Sequence, residues 1–98
     1  MRKAAPRSLA IALDALGSEL APATTLARVQ EVWADATGTA IGAAARPTAE
    51  RDGVLTVLCE AAVWAHELTM MEADLVVRIN ASLGTDAIRE LRCRTGDA

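Results

Sequence analysis

Asp52-Gly53 separates two runs of opposite character, and this pair constrains the fold more than any other. Both residues tolerate the positive φ that the centre of a two-residue hairpin turn requires. Before the turn, residues from about 46 to 51 read as an edge strand, because Pro47 has no N–H to offer an inner ladder. After it, Val54-Leu55-Thr56-Val57-Leu58-Cys59 is apolar on both faces, which places it centrally in a sheet and predicts that it is well covered.

Helical periodicity surrounds this hairpin. Ser8 can cap a helix whose apolar positions Leu9, Leu13, Leu16 and Leu20 share one face with Ala12, and Gly17 and Pro22 stop it. Thr24 or Thr25 caps a longer helix with the stripe Leu26, Val29, Trp33, Ala36, Ala40 and Ala44, widened by Val32 and Ile41. Gly38 and Gly42 interrupt that helix and predict close packing or a bend. Trp64, Leu68, Met71, Leu75, Ile79 and Leu83 mark a further long helix, kinked if anywhere near Thr69 and ended by Gly84. Residues from about 87 to 94 alternate, with Leu91 and Cys93 inward and Arg92 and Arg94 outward, and residues 95 to 98 are expected to fray. The expected order is α-α-β-β-α-β, an α+β fold with helices on one side of a three-stranded sheet.

At 98 residues the chain is expected to form one domain, residues 8–98, preceded by a short basic arm, residues 1–7, carrying Arg2, Lys3 and Arg7. Trp33 and Trp64 are its only aromatic residues, so Leu, Val, Ile and Ala must fill the core. Trp33 lies within a helical stripe and reads as core. Trp64 opens its helix and reads either as a core anchor or as an interface residue. Cys59 and Cys93 fall at inward phase in strands and read as small hydrophobes, with a disulfide or metal pair as the alternative. Neither a signal-type segment nor an 18-residue apolar span is evident, which points to a reduced, cytoplasmic protein.

Chemistry is sparsely signalled. His66 is the single histidine, and no nucleophile elbow, zinc motif, Walker lysine or Cys-x-x-Cys accompanies it, so the expectation is a non-enzymatic protein without cofactor or metal. Gly38-Thr39-Ala40-Ile41-Gly42 is not a phosphate loop, because its glycines lie within a helical period and no lysine follows. Ten Lys and Arg against 13 Asp and Glu give a net charge of −3, so any nucleic-acid contact must come from a local patch. Arg92 and Arg94 share one strand face, and Arg46 and Arg51 could join them if the strands are close. A solvated edge that discourages strand pairing would look the same. With so few aromatics, contact would be with phosphates, weak and non-specific.

Val32-Trp33 with Gly38, Pro47, Asp52-Gly53-Val54-Leu55-Thr56-Val57, Trp64-Ala65-His66-Glu67-Leu68, Leu83-Gly84 and Ile88 to Arg92 together resemble the DciA family over about residues 9 to 94. Its members are bacterial operators of the replicative helicase. The resemblance implies a domain similar to a type II KH fold without its Gly-x-x-Gly loop. It also implies a DnaB-type helicase as partner, assistance in loading that helicase, and some affinity for DNA. The family's prominent Trp falls on Trp64, and its motif brings His66 and Glu67 into the implied partner contact. The alternative is a KH-like RNA-binding or protein-interaction module with no role in replication.

Overall fold

A computed structural model describes residues 24–96. The helix expected over Leu9 to Leu20 and the arm residues Arg2, Lys3 and Arg7 lie outside the described residues. Two helices, α1 (Thr25–Thr37) and α2 (Thr39–Ala44), lead into a hairpin of β1 (Ala45–Arg51) and β2 (Val54–Cys59). Then α3 (Ala62–Met70) and α4 (Glu72–Leu83) cross over to β3 (Glu90–Thr95). The sheet order is β1-β2-β3, antiparallel between the first two strands and parallel between the last two.

Local chemistry sets the helix boundaries. The Thr24 hydroxyl accepts from the Ala27 N–H at 3.0 Å and caps α1. Gly38, at φ 99°, ends it, a backbone conformation that side chains oppose. The continuous helix expected through Ala44 is therefore divided here. Division resets the helical phase, which buries Ile41 and Ala44 but leaves Ala40 exposed, against its expected place in the stripe. At Gly42 a Cβ would lie 3.1 Å from the Ala34 Cβ, a tight contact, so its absence lets α2 lie close against α1.

The hairpin turns through Asp52 at φ 53° and Gly53 at φ 85°, the two positive values of a type I′ turn. Gly53 N–H also donates to the Glu50 carboxylate at 2.8 Å. Central β2 buries Leu55, Val57 and Cys59 under the helices. Its other face, Val54, Thr56 and Leu58, is only partly covered, so the expected covering of both faces holds for one.

The helical pattern from 62 to 83 breaks at Met71, close to Thr69, and Gly84 closes α4 in the left-handed conformation. Glu72, at the start of α4, accepts the Leu91 N–H at 2.8 Å and occupies part of the free edge of β3. Asn80 both donates to the Ile88 carbonyl, at 2.8 Å, and accepts its N–H, at 2.9 Å, which ties the loop before β3 to α4. That tie keeps residues 87 to 89 out of the strand, which starts at Glu90, later than the sequence indicates. Its end is also one residue further on than expected, because Thr95 pairs with Cys59 instead of fraying.

Val29, Trp33, Leu55, Val57, Leu68, Leu75, Ile79, Ile88 and Leu91 form the core between the helices and the sheet. Trp33 is 4% exposed, and its indole N–H donates to the Ala45 carbonyl at 2.8 Å. It thereby pins α1 to the start of β1.

Cys59 and Cys93 are both free and face inward from adjacent strands, Cys59 buried and Cys93 half-buried. Burial pushes the Cys59 thiol up from 9.0 to about 11, with a smaller contribution from neighbouring Cys93. Burial also raises Cys93. For Cys59 the unfolded chain releases its proton from about pH 9, whereas the folded chain holds it to about pH 11. The native state then binds more protons, so stability falls with rising pH across this window, by about 2 kcal/mol in all. Chemical denaturation at pH 8, 9.5 and 11 checks this expectation, with Cys59→Ala as the comparison in which the Cys59 contribution is removed.

Candidate nucleic-acid interface

Among the described residues, helices cover one face of the sheet and leave the other open. In register across it run Arg46, Leu58 and Arg94, then Ala49, Thr56 and Arg92, then Arg51, Val54 and Glu90. All four arginines expected from the sequence thus share this face, and all are exposed. Neighbouring strands lie about 4.8 Å apart, so the guanidinium stems of β1 and β3 stand about 10 Å from each other across β2. Their methylenes lie beside Val54 and Leu58 while the charged heads stay in water.

A β-bulge makes this arrangement. Arg46 and Arg51 are five residues apart, and strict alternation would send them to opposite faces. The register shifts between Pro47 and Ala49, leaving Thr48 as the extra residue. That shift restores Arg51 to the face of Arg46.

One further cation joins them. Arg89 precedes β3, and its Nε donates to the Asp52 carbonyl at 2.9 Å, which holds it against the hairpin turn. With Arg51, Arg92 and Thr56 it lines a shallow depression of about 420 Å³. A second depression, of about 430 Å³, lies between Arg46 and Arg94 and includes Thr48 and Thr56. The sequence groups Arg89 with Arg92 and Arg94, but alternation over an expected strand from 87 puts it in phase with inward Leu91 and Cys93; because the strand starts only at Glu90, Arg89 is free to turn to this face. Glu90 sits among the cations, 3.9 Å from Arg89 and 3.8 Å from Arg92. Such exposed pairs contribute little stability and leave the face net positive.

On the opposite side of the molecule, the second set of residues is distributed unevenly. Trp64 is half-buried and packs against the core. His66 and Glu67 are exposed on α3, where Val63 (62% exposed), His66, Glu67 and Met70 (72% exposed) follow the i, i+3, i+4, i+7 spacing of one helix face. Trp64 borders that face beside Glu67, about 60° away around the helix, and points mainly inward. His66 lies nearly opposite Trp64, so the structure joins His66 and Glu67 and sets Trp64 at their margin. Val63 and Met70 are the members that the sequence reading omitted, although their spacing around His66 and Glu67 was legible.

Among the described residues no three His, Cys, Asp or Glu side chains are grouped to hold a metal. No described helix is long and apolar enough to cross a membrane.

Comparison with known proteins bears on this geometry. A UPF0232 protein of Mycobacterium tuberculosis is 44% identical over 66 residues, which cover 67% of this chain and 35% of the relative. A UPF0232 protein of Mycolicibacterium paratuberculosis is 41% identical over 66 residues, 67% of this chain and 36% of the relative. One from Rhodococcus jostii is 38% identical over 60 residues, 61% of this chain and 32% of the relative. The matched part spans about a third of the length of these relatives. The sequence model of the family described as "Dna[CI] antecedent, DciA" matches residues 8–93, nearly the whole chain, and the chain belongs to the DciA family.

Proposed function

We propose that this chain is a non-enzymatic adaptor that binds a DnaB-type replicative helicase in the cytoplasm and assists its loading on DNA, touching the DNA weakly and without sequence preference. The observation that carries the DNA part is the convergence of Arg46, Arg51, Arg89, Arg92 and Arg94 on the sheet face that no described helix covers. That face holds no aromatic side chain for base stacking, so its contacts are with phosphates. The helicase part rests on family membership. In the proposed division of the chain, residues 8–98 are a KH-like domain and residues 1–7 add Arg2, Lys3 and Arg7 to the phosphate contact.

A KH domain that reads RNA clamps the backbone with a Gly-x-x-Gly loop between two helices. Here the corresponding helix break, Met70-Met71-Glu72, contains no glycine and includes a carboxylate. This favours the adaptor over an RNA-binding KH-like module.

For the helicase we assign the outer face of α3, His66 and Glu67 with Trp64 at its border. Trp64→Ala is expected to cost about 1 to 3 kcal/mol of stability, less than a fully buried Trp, and to weaken helicase capture by about thirtyfold, the effect of a 2 kcal/mol hot spot. Thermal melting and pull-down with purified helicase on the same variant check both. Unchanged capture, together with unchanged capture for His66→Ala/Glu67→Ala, would move the helicase contact off α3.

A further inference from the structure

We infer that one sugar–phosphate backbone lies along β2 on the open sheet face, with one phosphate seated between Arg46 and Arg94, the next between Arg51 and Arg92, and the Thr56 hydroxyl donating where the two seats meet. The inference rests on the DNA reading above and specifies how a strand is held. Two depressions adjoin on this face, and each has an arginine of β1 on one side and an arginine of β3 on the other. Thr56 lines both.

Spacing sets the direction of the strand. Arg92 and Arg94 are two residues apart on β3, about 6.6 Å, which matches the step between successive phosphates of a nucleic-acid strand. Across the sheet, the cations of β1 and β3 stand about 10 Å apart, too far to meet neighbouring phosphates but suited to grip one phosphate from two sides. A strand laid along β2 therefore meets both pairs in turn. The floor fits the same ligand, because Val54 and Leu58 offer apolar surface to the sugars and Thr56 is the one polar side chain that β2 presents there.

The two seats differ in composition. Between Arg46 and Arg94 lie the hydroxyls of Thr48, Thr56 and Thr95, with no carboxylate among the described residues that line the depression. Thr48 reaches it as the extra residue of the bulge. The other seat includes Glu50 and Asp52, but the Glu50 carboxylate accepts the Gly53 N–H at 2.8 Å, and Arg89 adds a third cation. Both seats are net positive.

Titration of the full chain with a labelled single-stranded oligothymidylate of about twelve nucleotides, at several salt concentrations, tests the inference. Thr56→Val keeps the shape of the side chain and is expected to lower affinity by about twofold to tenfold, the effect of one hydrogen bond. The salt slope should not change, because a neutral hydroxyl releases no counterion. Arginines that share a phosphate should be coupled. The loss in Arg46→Ala/Arg94→Ala is expected to fall short of the product of the single losses by about threefold or more, whereas Arg51→Ala/Arg94→Ala, on separate phosphates, should come within about twofold of the product. Melting curves check that each variant is folded. Unchanged affinity in Thr56→Val, or equal coupling in the two double variants, overturns this seating and leaves the DNA reading intact. Absence of binding by the unaltered chain at low salt overturns both.

Discussion

Reversing Arg92 and Arg94 together, as Arg92→Glu/Arg94→Glu, is expected to lower DNA affinity by about tenfold or more and to reduce the logarithmic salt slope by about 1.4 to 1.8. The slope is the decisive readout, because each phosphate contact releases counterions and contributes about 0.7 to 0.9 to it. Both side chains are exposed on β3, and Arg92 makes only a 3.8 Å contact with Glu90, so the fold should be unaffected. The loss should be similar for different DNA sequences, since the face offers no stacking group. Arg78→Glu, on the helical side, should leave both quantities unchanged and serves as the control. Fluorescence-anisotropy titrations at several salt concentrations measure all three proteins. An unchanged slope in the double variant would reduce these arginines to guards of an edge strand and place any DNA contact elsewhere.

The second large effect is on stability. Trp33→Ala is expected to cost about 3 to 5 kcal/mol, the usual range for removing a buried Trp. For a domain of this size that lowers the melting temperature by more than about 12 °C. Two losses combine: the cavity between α1 and the sheet, and the partner of the buried Ala45 carbonyl. Trp33→Phe separates them, since it keeps most of the packing and forfeits mainly the hydrogen bond, for about 1 to 3 kcal/mol. Calorimetry on both variants checks the order. A Trp33→Ala protein that melts within a few degrees of the unaltered chain would show that α1 is not pinned through this indole.

Much of this architecture is legible in short stretches of sequence. Asp52-Gly53 specifies its turn because the backbone conformation depends on those two residues alone. Pro47 marks an edge for an equally local reason, its missing donor. Gly84 ends α4, and the alternation of Leu91 and Cys93 against Arg92 and Arg94 gives β3 its faces before any partner strand is known.

Other features were decided only when distant elements met. Ala40 left its stripe because a break at Gly38 rotates everything after it, and the apolar pattern by itself is compatible with one straight helix. Trp64 and His66 stand two residues apart in the motif yet lie on nearly opposite sides of α3, since each residue turns a helix by about 100°.

The arginine face shows the division most plainly. That Arg92 and Arg94 lie together follows from a spacing of two on one strand. That Arg46 and Arg51 join them depends on the bulge at Thr48, and Arg89 joins through a hydrogen bond to the Asp52 carbonyl 37 residues earlier in the chain. Turns, caps and strand faces are short-range properties that adjacent residues determine. Pairing register and the meeting of separate strands are long-range, so only the assembled sheet could collect five cations from three places in the chain onto one surface.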